Sequence, residues 1–186
     1  KENEGQGVAR NYAIKLARGE YLTFVDSDDF VEETMLEELY KKAKDESSDI
    51  VACTKVYEVK SETLTISSSL FDVSDPYRKY ILNNSGPVGK IIKREIIQNN
   101  NLYFPNLRAY EDIAIVPLWG LYAKKISYID KPFYYYIIHE GSTMKQLIYN
   151  EKLTHIYSSL DNLYIKFKLL SGDKYYSELE WIYIEH

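Results

Sequence analysis

Residues 19–29 read Gly-Glu-Tyr-Leu-Thr-Phe-Val-Asp-Ser-Asp-Asp. Within this stretch, the β-branched and aromatic run at residues 21–25 predicts a short buried strand. Apolar residues recur at helical spacing on both sides of it, over residues 7–17 and 32–44. A second strand is predicted over residues 49–59, and this alternation of helices and strands predicts an α/β fold with a mainly parallel sheet.

The rest of the chain contains further segments with helical or strand periodicity. Strands are predicted over residues 64–66, 70–73, 89–92, 126–129 and 133–138. Helices are predicted over residues 75–82, 94–99 and 111–123, from residue 149 onward to Gly172, and over residues 175–184. Pro117 is expected to start or kink the helix in which it lies.

The composition limits the classes of protein to which the chain can belong. Its 186 residues, 45% of them hydrophobic, can bury a core, and its net charge of −5 argues against nucleic acid as the main partner. One cysteine, Cys53, excludes an internal disulfide and is expected to be a small buried hydrophobe in a reducing compartment. No stretch has the pattern of a membrane span or a signal peptide. Because the sequence starts at Lys1 without an initiator Met, we expect it to be cut from a longer chain.

Asp26-Ser27-Asp28-Asp29, here called the acidic turn, directly follows the predicted strand at residues 21–25. Its three carboxylates repel one another, and a divalent cation such as Mg²⁺ or Mn²⁺ would remove that repulsion. The carboxyl ends of strands in open α/β sheets are also where ligands bind. The alternative is a solvated turn in which Asp29 caps the next helix.

An acidic turn after a strand is also typical of haloacid-dehalogenase-like phosphatases, in which the first aspartate is a nucleophile. In that class a small residue and a Thr or Val follow the second aspartate, whereas Asp29 and Phe30 follow here. A metal-dependent phosphatase with Asp26 as the nucleophile therefore stays open as a weaker alternative. A non-catalytic glycan-binding domain is a further alternative.

Six motifs follow one another along residues 1–145. The first three are Asn3-x-Gly5-x-Gly7-x-Ala9-Arg10-Asn11, Ala17-Arg18-Gly19-Glu20-Tyr21 and Phe24-x-Asp26-Ser27-Asp28-Asp29. The others are Gly89-Lys90-Ile91-Ile92-Lys93-Arg94-Glu95, Tyr110-Glu111-Asp112, and Tyr134-Tyr135-Tyr136 followed by Ser142. In order and spacing this set resembles the family 2 glycosyltransferases, in particular the bacterial members that build surface polysaccharides.

The resemblance implies a GT-A fold, a Rossmann-like three-layer α/β/α sandwich that holds a nucleoside-diphosphate sugar at the ends of its strands. The family begins with a βαβ unit that grips the nucleobase, and we expect that unit to be missing here. Residues 1–145 are therefore predicted to form a partial, N-terminally truncated glycosyltransferase domain. Residues 146–186 are predicted to form a C-terminal helical extension that packs on the domain. Pairing with another chain or resting on a membrane surface are the alternatives for this extension.

The resemblance also implies a metal site. It assigns Asp28 to a Mn²⁺ or Mg²⁺ ion, with Asp26 near the ribose or sharing the ion. His139, which follows the tyrosine run, is expected to complete the coordination. The alternative for His139 is an ordinary polar surface residue.

Four further residues are expected to bind the nucleotide-sugar donor. Asn3 and Gly5 are expected to shape the loop beside it. Arg10 is expected to pair with the carboxylates or with donor phosphate, since its planar fork suits either. Lys90 is expected either to approach the diphosphate or acceptor, or to lie in solvent at a strand edge.

On the acceptor side, the resemblance makes Asp112 the general base, with Glu111 beside it as a second catalytic candidate. Both lie at the start of the helix predicted over residues 111–123, so the alternative is that they only complement the helix dipole. One carboxylate at the acceptor is sufficient for a single displacement with inversion. The predicted function is sugar transfer from a nucleotide-sugar, a UDP-sugar being the family's commonest donor, to a glycan or lipid-linked acceptor. We expect it to occur in the cytoplasm or at the inner face of the membrane.

Overall fold

The computed structural model describes residues 4–69, 71, 73–83, 86–139 and 154–186. Its strands are β1 (Tyr21–Leu22), β2 (Phe30–Val31), β3 (Ile50–Lys60), β4 (Thr63–Ser68), β5 (Lys90–Lys93) and β6 (Ile126–Ile138). Its helices are α1 (Gln6–Leu16), α2 (Met35–Glu46), α3 (Pro76–Asn83), α4 (Arg94–Asn99), α5 (Val116–Tyr122), α6 (His155–Ser171) and α7 (Tyr176–Glu185). The prediction of an α/β fold is confirmed.

The strands form one sheet in the order β1-β5-β3-β6-β2, and β4 pairs with the second half of β3. Among the described residues, β3 and β6 are the only parallel pair, and the other pairs are antiparallel. The prediction of a mainly parallel sheet was therefore wrong. Helix–strand alternation does not decide strand direction here, because β1 and β2 each pair with a strand from much later in the chain.

Two cores lie on opposite faces of the sheet. Successive residues of β3 alternate between them, since Ile50 belongs to the larger core and Val51 to the smaller one. In the same way, Ile92 and Ile91 of β5 face opposite sides. The smaller core is covered by α2, and the larger core contains residues from all the other helices. Helices on both faces give the three-layer arrangement that was predicted.

Several element boundaries differ from the predicted ones. The helix predicted over residues 111–123 begins at Val116, after a turn in which Tyr110 has φ of 61°. Pro117 lies in its first turn, where a missing N–H breaks no helical hydrogen bond. The two strands predicted on either side of Pro132 are one strand, because Pro132 lies at an irregularity in the pairing of β3 with β6.

The early strand is also shorter than predicted, and the strand predicted over residues 70–73 is not observed at its described residues. Only Tyr21 and Leu22 of residues 21–25 have sheet partners. Phe71 and Val73, which are the described residues of the second segment, lie outside the strands.

The C-terminal helices pack against the rest of the protein. Leu160, Leu163 and Phe167 of α6 and Leu179 and Ile182 of α7 belong to the larger core. The prediction that this region packs on the domain is confirmed, whereas the boundary predicted at residue 145 lies outside the described residues. In the part of the chain that the structure describes, no helix has the length and apolar character needed to cross a bilayer.

Candidate active site

Arg10 of α1 joins the acidic turn to the Glu111-Asp112 motif. Its Nη2 donates to Asp26 Oδ1 over 2.6 Å, and its Nη1 donates to Glu111 Oε1 over 2.8 Å. The Arg10 side chain is 11% exposed and that of Glu111 is 0% exposed, so water screens their ion pair weakly. Of the two kinds of partner predicted for Arg10, the carboxylates are the ones that it contacts.

The start of α1 approaches the Glu111 segment closely because it carries a glycine. A Cβ built on Gly7 would lie 2.9 Å from Glu111 Cγ and 3.2 Å from Phe104 Cβ, so a larger residue would push the helix away. One turn further on, the Asn11 side chain donates to Phe104 O over 2.7 Å and accepts from Phe104 N over 2.9 Å. These contacts set the position of α1, and with it the position of Arg10.

Tyr134 of β6 holds the acidic turn in shape. Its hydroxyl donates to Asp29 Oδ2 over 2.6 Å and accepts from the Asp26 N–H over 3.1 Å. Asp29 Oδ1 accepts from the Ile137 N–H over 2.8 Å, and burial raises the pKa of Asp29. Asp29 is therefore not the cap predicted for the next helix, because its carboxylate faces β6 and α2 begins only at Met35.

Asp28 and His139 lie together on the exposed side of the acidic turn. His139 Nε2 is 2.9 Å from Asp28 Oδ2, and this hydrogen bond lowers the pKa of Asp28. Among the described residues, no group of three or more His, Cys, Asp and Glu side chains could hold a metal ion. Mg²⁺ at nucleotide sites is typically bound by one or two carboxylates plus substrate phosphates. Asp28 offers one carboxylate of the kind found in such a ligand set, and His139 places an imidazole nitrogen beside it.

Glu111 and Asp112 are adjacent but have different surroundings. Glu111 is fully buried, and burial raises its pKa. Asp112 is partly buried, and its Oδ1 accepts from the Ile113 N–H over 2.9 Å. A Cβ built on Gly86 would lie 3.9 Å from Asp112 Oδ2, so this oxygen of the Asp112 carboxylate lies close to Gly86. Burial raises the pKa of Asp112 as well, and the Ile113 N–H and Arg10 oppose the rise.

Lys90, the first residue of β5, is 2% exposed. The alternative of a solvated strand-edge lysine was therefore wrong, because β5 lies between β1 and β3. Its ammonium group donates to Gly86 O and lies 5.4 Å from the centre of the Tyr80 ring. Burial lowers the pKa of Lys90 to about 7, and Asp112 opposes this decrease.

Two residues of the predicted motifs, Asn3 and Ser142, lie outside the described residues. Gly5 has φ of 96°, which favours glycine, and it is the N-cap of α1. Sequence analysis missed the close approach at Gly7 and the role of Tyr134. The second glycine of the first motif and the tyrosine run were the available signals, but the spacing of residues does not reveal which tyrosine faces the acidic turn.

The motifs that meet at Arg10 also belong to a known family. The sequence profile of glycosyl transferase family 2 matches residues 1–107, which is more than half of the chain. The chain belongs to glycosyl transferase family 2. The matched region of this family 2 chain includes Arg10 and the acidic turn.

Bacterial relatives agree with this assignment. EpsH of Bacillus subtilis is 32% identical over 164 residues, which cover 82% of the family 2 chain and 47% of EpsH. The glycosyltransferase GlyG of Streptococcus pneumoniae is 31% identical over 161 residues, which cover 78% of the chain and 53% of GlyG. The family 2 chain thus spans about half the length of these curated relatives.

Solved structures have the same fold. The crystal structure of Staphylococcus aureus TarS residues 1–349 in complex with UDP-GlcNAc aligns with the family 2 chain with a TM-score of 0.65 and 26% identity. The alignment covers 94% of the family 2 chain and 54% of the TarS chain. A second TarS structure aligns with a TM-score of 0.70 and 22% identity. This alignment covers 98% of the family 2 chain and 30% of the TarS chain. The predicted GT-A fold is confirmed. Family membership gives no support to the phosphatase and glycan-binding alternatives.

Proposed function

We propose that this family 2 chain is part of an enzyme that transfers a sugar from a UDP-sugar to a hydroxyl group of a glycan or lipid-linked saccharide, with inversion. TarS has been crystallised with UDP and with UDP-GlcNAc, and relatives include poly(ribitol-phosphate) glycosyltransferases. These proteins support a role in building a cell-surface polysaccharide. The reaction would occur in the cytoplasm, where a lipid-linked acceptor would bring the enzyme to the inner face of the membrane.

The observation that carries the proposal is the double ion pair of Arg10. Sugar transfer requires the leaving diphosphate and the attacking hydroxyl to be fixed on two sides of one sugar carbon. Because Arg10 binds both Asp26 and Glu111, the carboxylates of the donor side and the acceptor side meet within the reach of one side chain. Their neighbours in the sequence, Asp28 and Asp112, are thereby brought to the same part of the molecule.

On the donor side, Asp28 and His139 would hold a Mn²⁺ or Mg²⁺ ion, which supplies positive charge to the leaving diphosphate when it is bound. Asp26 is oriented by Arg10 to contact the ribose or to share the ion. Tyr134 keeps the acidic turn in one conformation through Asp29, so the turn does not need to reorganise when the donor binds.

On the acceptor side, Asp112 is the general base. It accepts the proton of the acceptor hydroxyl while that oxygen bonds to the anomeric carbon and the bond from this carbon to the diphosphate oxygen breaks. A single displacement of this kind inverts the anomeric centre. Burial raises the pKa of Asp112 and so makes it a stronger base. Glu111 stays in the interior, where its carboxylate positions Arg10.

Calorimetric titration of UDP tests the donor site, both on this chain and on a longer protein that contains it. With Mn²⁺ present we expect UDP to bind, and we expect Asp28→Ala to weaken binding by about tenfold or more. Asp45→Ala is a matched control, since Asp45 is exposed on α2 and pairs with Lys41. Absence of UDP binding in both proteins would contradict the function, and equal binding by Asp28→Ala would contradict the metal site.

A further inference from the structure

A groove of about 600 Å³ lies between α6 and α7. Three tyrosines, Tyr164, Tyr176 and Tyr183, line it together with two acids, Asp161 and Glu180. Its volume is within the roughly 300 to 1,000 Å³ of ligand sites. None of its described lining residues belongs to the site proposed for sugar transfer, so the groove needs an explanation of its own.

Contacts between the two helices hold the rings of the groove in place. The Tyr183 hydroxyl donates to Leu160 O of α6 over 2.9 Å. The rings of Tyr164 and Tyr183 meet edge to face, with their centres 6.3 Å apart. Because these rings are already fixed, a ligand that binds them does not have to order them first, which favours binding.

The charge of the groove is negative. The Glu180 carboxylate raises the pKa of Tyr176, and burial together with the Asp161 carboxylate raises the pKa of Tyr183. Each acid therefore lies near one of the rings. Among the described residues that line the groove, none is Lys or Arg. Carboxylates beside aromatic rings favour a cationic ligand, since both attract positive charge.

One end of the groove already has a cation on a ring. Lys168 Nζ lies 4.8 Å from the centre of the Tyr176 ring, and it also pairs with Asp173. Tyr164 and Tyr183 present the same kind of ring to solvent, since they are 41% and 39% exposed. A guanidinium group suits them better than an ammonium group, because it is planar, stacks on aromatic faces and forms paired hydrogen bonds with a carboxylate.

Exposed apolar side chains extend the groove on both helices. Tyr157 and Ile165 lie four residues before and after Asp161, which puts them on the same side of α6, and Ile184 of α7 is 77% exposed. A small cation would leave this apolar surface in water, whereas an amphipathic helix would cover it. The lining residues of α7 span two helical turns, about 10 Å, and a docked helix contacts a groove of this length through residues at i, i+4 and i+7.

We propose that this groove is a docking site for an amphipathic helix of a partner protein, which places an arginine side chain on the rings of Tyr164 and Tyr183 and pairs it with Glu180. The apolar residues of the partner helix would cover Tyr157, Ile165 and Ile184. The inference does not depend on sugar transfer.

The charge of α7 argues against two other occupants. Residues 176–185 contain three glutamates and no Lys or Arg. The anionic head groups of a membrane surface would be repelled by them, and so would the α7 of a second copy of this chain. A basic partner helix meets no such repulsion.

Designed peptides of about 15 residues are suitable probes, because this length supports a helix. One peptide has leucines at i, i+3, i+4 and i+7 and arginines beside them, and two others carry lysine or glutamate in place of arginine. Circular dichroism verifies that the three are equally helical. Fluorescence anisotropy should show that the arginine peptide binds this chain most tightly, that the lysine peptide binds more weakly, and that the glutamate peptide does not bind.

Substitutions in the groove test the contacts themselves. Glu180→Gln is expected to weaken binding of the arginine peptide by about tenfold, or about 1.4 kcal/mol. Glu37→Gln is the matched control, because it removes the same charge from an exposed position on α2. Tyr164→Leu keeps apolar surface but removes a ring, so it should weaken binding more than Tyr12→Leu, at an exposed position on α1.

The location of the bound peptide is an independent measurement. Chemical-shift changes of the isotope-labelled chain should be largest in α6 and α7. Absence of binding, equal binding of the arginine and glutamate peptides, equal affinity of Glu180→Gln and Glu37→Gln, or shift changes centred elsewhere would each overturn the docking site.

Two further measurements test the other occupants. Co-sedimentation with vesicles of phosphatidylcholine and phosphatidylglycerol tests a membrane surface, and sedimentation velocity of the chain alone tests a second copy. We expect no vesicle binding and no dimer formed through this groove. Vesicle binding that Ile184→Glu abolishes, or a dimer that Ile184→Glu dissociates, would overturn the proposal in favour of the membrane or of self-association.

Discussion

Arg10 and Glu111 are 101 positions apart in the sequence, and the Arg10 guanidinium group donates to the buried Glu111 carboxylate over 2.8 Å. The other oxygen of this carboxylate, Oε2, has no hydrogen-bond partner among the described residues. A buried carboxylate without a cation costs several kcal/mol, so Arg10 stabilises the interior as well as the site. The same guanidinium group binds Asp26, which makes the geometry of the acidic turn depend on this ion pair.

Replacement of Arg10 by glutamine is expected to lower the free energy of unfolding by about 3 kcal/mol, because the charge of Glu111 would stay buried and unpaired. Urea unfolding measures this change. Arg18→Gln is the matched control, since Arg18 is exposed, and we expect it to change stability by less than about 0.5 kcal/mol. In a Glu111→Gln background the cost of Arg10→Gln should shrink, and an undiminished cost would argue against the ion pair.

Gly7→Ala is expected to lower stability by about 1 to 2 kcal/mol. The added Cβ would lie 2.9 Å from Glu111 Cγ, and this overlap outweighs the helix propensity gained from alanine. Gly86→Ala is the matched control, because the nearest atom to a Cβ at this position, among the described residues that are not its chain neighbours, is 3.9 Å away. Thermal unfolding compares the two, and a Gly7→Ala protein as stable as Gly86→Ala would contradict the close approach.

Lys90→Met is expected to raise stability at pH 6 by an amount on the order of 2 kcal/mol, because it removes a buried charge. Burial lowers the pKa of Lys90 from 10.5 to about 7 in the folded state. The unfolded chain therefore binds more protons between these two values, and the penalty for burying Lys90 falls as the pH rises through this range. The gain from Lys90→Met should consequently be smaller at pH 10 than at pH 6. Urea unfolding at both pH values measures it, and a gain that grows with pH would be the wrong sign.

His139→Ala is expected to weaken Mn²⁺-dependent UDP binding by about tenfold, because it leaves Asp28 as the remaining proposed protein ligand on that side of the turn. Calorimetry with and without Mn²⁺ measures the effect. His155→Ala is the control, since His155 lies on α6 and accepts from the Arg108 N–H over 3.1 Å. Equal loss in both variants would indicate a general structural effect and not a metal ligand.

Asp112→Asn is expected to lower sugar transfer by about 10² to 10⁴-fold in a longer protein that is active, while UDP binding stays unchanged. Asp161→Asn, at an exposed position on α6, should be fully active. Because burial raises the pKa of Asp112, the acid limb of the pH–rate profile should lie above the value of about 3.9 for an ordinary aspartate. Full activity of Asp112→Asn would rule out this residue as the base.

Much of the local structure follows from the sequence alone. Helix α1, the strand before the acidic turn, and the helices after residue 154 were predicted because apolar spacing and turn chemistry act between residues a few positions apart. The family was also predictable, since its motifs are short and lie in a set order. These features need no knowledge of which distant segments meet.

Only the tertiary structure decided which distant partners each site residue has. Asp29 has the spacing of a helix cap, but its carboxylate binds Tyr134, which lies 105 positions later. Lys90 is compatible with a strand edge, yet β1 and β3 lie on either side of it and exclude water. The physical reason is the same in each case: burial and ion pairing depend on long-range contacts, and a residue's own neighbours in the sequence do not specify them.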